Sequence, residues 1–149
     1  MGHLGRPEPV SSIEYPVSSI NKKFSLVPVA KWFAKILNTE YSPRSNSGQA
    51  MLNTIKVGNF EGWKITDRIN LIENIRFFKG EEENPSTGSG LAFARELALL
   101  GDIYVNDAFA VCHRAHASIV GVTKFLPSYA GFHLKKEIEE LSKILKNPK

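Results

Sequence analysis

Arg68-Ile69-Asn70-Leu71-Ile72-Glu73-Asn74-Ile75-Arg76-Phe77-Phe78 and Asp102-Ile103-Tyr104-Val105-Asn106-Asp107 bracket the stretch that decides the fold. The first run is rich in β-branched and aromatic residues and alternates in part, which predicts a strand over 68–73 and a loop starting near Asn74. The second predicts a short buried strand. Between them, Glu81 to Gly90 joins an acidic triplet to Pro85 and glycines as a solvated connection. Leu91, Ala94, Leu97, Ala98 and Leu100 then mark a helix that ends near Gly101. Strand, helix and strand at this spacing imply a βαβ crossover, and hence a parallel sheet with helices on its faces. The predicted class is α/β.

Outward from this centre, Leu26, Val29, Ala30, Phe33, Ile36 and Leu37 recur at three and four residue spacing and predict a helix over 25–37. Ser25 is placed to cap it, and Pro28 falls in the first turn, where its missing N–H does no harm. Residues 1–23 carry Gly2, Gly5, Pro7, Pro9 and Pro16 without apolar periodicity and read as a long opening loop. From Tyr41 to Gly62 the chain is polar and poor in pattern, with a helical turn or two expected around Gln49 to Ile55, and the region 41–63 is otherwise left unassigned. Ala115 to Leu126 reads as a short helix and its tail. Leu134, Ile138, Leu141 and Leu145 place an apolar stripe on a closing helix over 132–146.

Composition narrows the class further. The 149 residues are 42% hydrophobic and 23% charged, the balance of a globular chain with one core. No run of eighteen apolar residues occurs, and Met1-Gly2-His3-Leu4-Gly5-Arg6-Pro7 lacks the apolar stretch of a secretory signal, so a cytoplasmic, membrane-free protein is expected. Cys112 is the single cysteine, which excludes an internal disulfide and a multi-thiolate metal site. Nineteen basic against fifteen acidic residues give a net charge of +4, too balanced for a nucleic-acid tail. The five lysines after residue 134 are read as the wet face of the last helix.

In open parallel sheets, ligands sit outside the carboxyl ends of the strands. His3 and Arg6 in the opening loop, Arg76 after the first predicted strand, and His113 with Arg114 after the second are all cationic or potentially so. Convergence of these side chains would suit a phosphate or carboxylate, whose oxygens match the guanidinium fork. Each also has a plainer reading. Arg76 could be a solvated charge or the ion-pair partner of Glu73, and Asn106 and Asp107 could be ligand contacts or caps for the following turn. His113 and His116 could be a helix-cap or core pair, and although they also have the spacing of a metal pair they lack a convincing third ligand. Gly88-Ser89-Gly90 lacks both the dinucleotide fingerprint and the P-loop lysine, and reads as a flexible linker. Glu81, Glu82 and Glu83 read as a solvated loop, Cys112 beside His113 as incidental, and Trp32 and Trp63 as packing residues.

Four segments in order, His3-Leu4-Gly5-Arg6-Pro7, Glu73-Asn74-Ile75-Arg76-Phe77, Gly101 to Phe109, and His113-Arg114-Ala115-His116-Ala117-Ser118, resemble the phosphoglycerate kinase family. The likeness continues through Val120-Gly121-Val122 and Ala130-Gly131-Phe132 to Lys149, while 41–63 departs from the family pattern. The resemblance implies an incomplete three-layer, parallel-sheet, Rossmann-like domain over residues 1–149, the partial phosphoglycerate-binding half of the enzyme, with the nucleotide domain absent. It implies reversible phosphoryl transfer between 1,3-bisphosphoglycerate and ADP, giving 3-phosphoglycerate and ATP in glycolysis.

By similarity, His3, Leu4, Gly5 and Arg6 belong to the substrate loop, and Arg76, His113 and Arg114 to the basic patch around the distal phosphate. No residue here is assigned a catalytic or metal-binding role. MgATP or MgADP binds elsewhere in the intact enzyme, which in this family is usually monomeric. Because the family carries further substrate-binding strands before the opening motif and a glycine-rich nucleotide domain after this region, turnover by this chain alone is not expected and its independent folding is in doubt. Opening at Met1 inside a family motif suggests an internal start or a truncated gene. A non-catalytic phosphate-binding module is the alternative function; a nucleic-acid-binding role lacks a recognisable motif.

Overall fold

The computed structural model describes residues 22–37 and 53–146. These belong to two compact units that divide between Lys79 and Gly80, each with its own buried residues, where composition suggested one core.

In the first unit, helix α1 spans Val27–Ile36 with Pro28 in its opening turn. Leu26, not Ser25, holds the N-cap position. Ser25 still serves the helix start, because its Oγ accepts the Val27 N–H at 3.2 Å. Strands β1 (Thr54–Val57) and β2 (Phe60–Lys64) form an antiparallel hairpin, and β3 (Asn70–Ile72) pairs antiparallel with β2. Val57 faces Phe60, so Gly58-Asn59 is a two-residue turn, and Gly58 takes the positive φ of 59° that primed hairpin turns demand. A strand pair therefore occupies part of the stretch for which the sequence suggested a helical turn; residues 49–52 lie outside the described residues.

Gly62 on β2 meets the backbone of Leu71 and Ile72 so closely that a Cβ has no room. Leu26, Ala30, Trp63 and Ile65 form the core, with Val27, Phe33 and Leu71 packed against it. Each large apolar side chain so buried contributes roughly 1.5–3 kcal/mol. Trp63 thus packs as expected, whereas Trp32 is 55% exposed and makes an edge contact with Phe33.

In the second unit, helix α2 spans Gly88–Ala98 and buries Phe93, Ala94, Leu97 and Ala98. Gly88-Ser89-Gly90 forms its first turn and is not a linker; Gly90 lies so close to the backbone of Glu83 and Asn84 that no larger residue fits. Strand β4 (Tyr104–Asn106) pairs in parallel with β5 (Ser128–Ala130), Tyr104 opposite Ser128 and Asn106 opposite Ala130. β4 is shorter than the predicted strand and not buried, since Val105 and its partner Tyr129 are both exposed.

The connection between these strands contains a π turn at Ala117–Gly121 and a 3-10 turn at Val122–Lys124, where an ordinary short helix was expected. Helix α3 follows at Phe132–Lys146, the predicted span. Its stripe is amphipathic, but Leu134 is buried while Ile138, Leu141 and Leu145 are exposed.

The parallel pairing that defines the α/β class is therefore between β4 and β5. β3, shorter than the predicted 68–73, belongs to the antiparallel sheet, so it does not form a crossover with β4. Among the described residues, no helix is long and apolar enough to cross a membrane.

Candidate functional site

The carboxyl end of β4 opens into a loop fixed by side chains from its own ends. Asn106 Oδ1 accepts the Ala108 N–H at 3.0 Å, and Asn106 Nδ2 lies 3.4 Å from Cys112 Sγ, whose thiol contacts the Ala108 carbonyl. A 3-10 turn at Phe109–Val111 follows, and Arg114 N–H donates to the Val111 carbonyl at 3.0 Å. His113 is exposed on this loop and Arg114 half-buried. The Arg114 Nε is buried and has no hydrogen-bond partner among the described residues. A guanidinium nitrogen withdrawn from water without an acceptor is unfavourable unless an acceptor arrives, and an oxyanion is the natural one.

Asp107 resolves the choice left open by the sequence. Its Oδ1 accepts the N–H groups of His133 and Leu134 at 2.7 and 2.9 Å, so it caps the start of α3 from another segment. Gly131 crosses so close to the Asp107 side chain that a Cβ there would displace it. Replacing Asp107 by Ala is expected to lower stability by about 1–2 kcal/mol. Hydrogen exchange should accelerate first at the His133 and Leu134 amides; unchanged exchange at both would contradict the capping role.

Beyond Arg114 the chain is held by Glu81. This residue is 1% exposed, so the acidic triplet is not uniformly solvated as its composition suggested. Glu81 Oε1 accepts from Ser118 Oγ at 2.6 Å, Oε2 accepts the Ser118 N–H at 3.0 Å, and His116 Nδ1 stands 3.5 Å from Oε1. Burial, with Cys112 and Glu81 nearby, pushes the Tyr104 hydroxyl up to about 12, so the phenol at the start of β4 stays neutral. His116 thus faces a buried carboxylate, and no group of three or more His, Cys, Asp or Glu is placed to hold a metal ion among the described residues.

Arg76 belongs to the first unit, in a 3-10 turn at Ile75–Phe77 that follows β3. It is 5% exposed, which removes the solvated-charge reading. Asn74 Oδ1 accepts the Arg76 N–H at 3.2 Å, and Asn74 Nδ2 donates to the Phe24 carbonyl at 3.0 Å. Glu73 is committed to the helix start: Oε2 accepts from Ser25 Oγ at 2.6 Å, and Oε1 accepts the N–H of Leu26 and of Asn74 at 2.6 and 2.8 Å. Sequence reasoning raised Glu73 only as a possible ion-pair partner, and the 48-residue separation from Ser25 hid its role. His3, Leu4, Gly5 and Arg6 lie outside the described residues. A cleft of about 360 Å³ runs along the hairpin between Lys56, Glu61, Trp63 and Glu73, and of the described site candidates none of Arg76, His113 and Arg114 lines it.

A parallel strand pair with helices, and basic side chains on the loop at the carboxyl end of one strand, place the protein in the α/β class. The sequence model of the phosphoglycerate kinase family matches residues 1–149. The chain belongs to the phosphoglycerate kinase family. It is 40% identical over 152 residues to the phosphoglycerate kinase of Coprothermobacter proteolyticus and 41% identical over 149 residues to that of Borrelia turicatae, matching 99% of this chain and 33% of each relative. Against the chloroplastic phosphoglycerate kinase 2 of Arabidopsis thaliana, the identity is 41% over 99% of this chain and 27% of that protein. The solved phosphoglycerate kinase of Coxiella burnetii superposes with a TM-score of 0.63 at 36% identity, over 99% of this chain and 31% of that one. The chain thus spans about a third of the length of these relatives.

Proposed function

We propose that this chain carries the phosphoglycerate-binding part of a phosphoglycerate kinase, which reversibly moves the acyl phosphate of 1,3-bisphosphoglycerate to ADP, giving 3-phosphoglycerate and ATP in glycolysis. Arg76, His113 and Arg114 neutralise the distal phosphate, and His3, Leu4, Gly5 and Arg6 complete the substrate contacts. The magnesium nucleotide is held by sequence outside this chain, and the chain alone does not turn over. The setting is the cytoplasm and the working unit a monomer. Transfer of this type depends on positioning and charge neutralisation, which a fixed guanidinium supplies.

The observation that supports the reading best is Arg114, whose Nε is buried without a hydrogen-bond partner among the described residues, on the loop after a parallel strand. Titration calorimetry with 3-phosphoglycerate is expected to show binding that Arg114→Ala weakens by about 30-fold, the loss of charge-assisted hydrogen bonds. Lys143→Ala should leave binding intact, because Lys143 is exposed and paired with Glu140 on α3. Equal affinity of wild type and Arg114→Ala would overturn the assignment. Binding without turnover, once the chain is joined to the remaining two thirds of a relative, would favour a non-catalytic phosphate-binding module.

A further inference from the structure

Arg114 is bracketed by two sets of contacts. On its amino-terminal side, Asn106 and the Val111 carbonyl fix the loop from β4. On its carboxyl-terminal side, the chain enters the π turn, where the His116 carbonyl receives the N–H groups of Ile119, Val120 and Gly121 at 3.1, 2.9 and 3.4 Å. Such turns are rare and are often found at functional sites. What holds this turn is the buried carboxylate of Glu81, which reaches across 37 residues to both the N–H and the hydroxyl of Ser118 and faces His116.

A buried carboxylate is unfavourable unless its oxygens are saturated with donors, so this arrangement admits few alternatives for residues 116–118. Arg114 lies two residues before that clamp, and Ala115 between them is exposed. Only this one residue separates Arg114 from the clamped segment.

The geometry points to Glu81 as a positioning residue for anion capture: through Ser118 and His116 it fixes the π turn and holds Arg114 with its Nε preorganised for an oxyanion. Glu81 does not touch the ligand. This rests on the phosphate-binding reading of Arg114 and adds a residue to it that acts through the backbone. A guanidinium already held in place loses less freedom on binding, so anchoring the loop raises affinity without a new contact.

The test compares Glu81→Ala, Glu81→Gln and Ser118→Ala in the 149-residue chain, with two measurements. The first is the exchange of the Arg114 Nε proton with water, followed by nitrogen-edited NMR without ligand. The second is the dissociation constant for 3-phosphoglycerate. Glu81→Ala is expected to speed the Nε exchange and weaken binding about tenfold, while α2 amides and the β1–β2 hairpin stay protected. Glu81→Gln, which retains an acceptor for the Ser118 N–H, should recover most of the affinity, to within about threefold of wild type, and Ser118→Ala should fall between the two.

Arg114 Nε exchange that is unchanged in Glu81→Gln and Ser118→Ala, as well as in Glu81→Ala where it folds, overturns the positioning role. If Glu81→Ala does not fold, the other two variants decide the matter by the same criterion. Absence of 3-phosphoglycerate binding by the wild type would instead sink the phosphate reading, and the ligand-free NMR measurement would still decide whether Glu81 controls Arg114.

Discussion

Replacing Glu73 by Ala is expected to destabilise the first unit by roughly 3–5 kcal/mol, an effect large enough to unfold a marginally stable chain. The carboxylate serves three donors at once: Ser25 Oγ and the backbone N–H groups of Leu26 and Asn74. Removing it leaves those donors without their acceptor next to the core formed by Leu26, Ala30, Trp63 and Ile65. The same step loosens Asn74, which caps the turn carrying Arg76. Urea unfolding followed by tryptophan fluorescence measures this effect, because Trp63 is buried in the affected core. Glu73→Gln keeps a carbonyl acceptor and can donate to Ser25, so it should cost about 1–2 kcal/mol. Equal midpoints for Glu73→Ala and wild type would show that the three bonds together make no net contribution to stability.

The second large effect is expected at Gly121. Its backbone is ordinary right-handed helical, at φ −67° and ψ −50°, so any residue could adopt the conformation. Space is what forbids a side chain. A Cβ at this position would lie 2.6 Å from Ala94 Cβ on α2 and 3.1 Å from Pro85 Cβ, well inside ordinary contact distance. Gly121→Ala must push the π turn away from α2, at a cost of about 1–3 kcal/mol, and should disturb the Ser118–Glu81 bonds at the other end of that turn. Combining it with Ala94→Gly restores the space while weakening α2 by roughly 1 kcal/mol. The pair should therefore be less destabilised than the sum of the two single changes. Strict additivity in denaturant midpoints would mean that the turn and the helix are not in close contact.

Where one side of the chain alone carries the information, the sequence was sufficient. Helix α3 starts and stops where its apolar period starts and stops, and α1 was recoverable from the same period with Pro28 in its first turn. The hairpin was missed although Gly58-Asn59 is a turn dipeptide, because the strands it joins are only four and five residues long and mix Lys and Glu with their apolar residues. The crossover was assigned to the wrong strands for a different reason. Periodicity identifies strands but does not say which ones pair, and β5, three residues long, gave no signal of its own.

The place of His113 and Arg114 after β4 was legible, because they follow a predicted strand. Glu81 was not, because an acidic triplet next to Gly and Pro looks the same whether one member is buried or all three are wet. Only contact with Ser118, far away in sequence, distinguishes the cases. Glu73 was obscured in the same way by its distance from Ser25.

The cap that Asp107 places on α3 has a mechanical consequence. The helix is secured through its first turn, by two bonds to one carboxylate and by the buried Leu134, while Ile144 and Leu145 near its other end are exposed. A helix tethered in this way comes apart from the far end, in the manner of a zipper with a single stop. Amide exchange along the helix should therefore be slowest in the turn next to β5 and fastest towards Lys146.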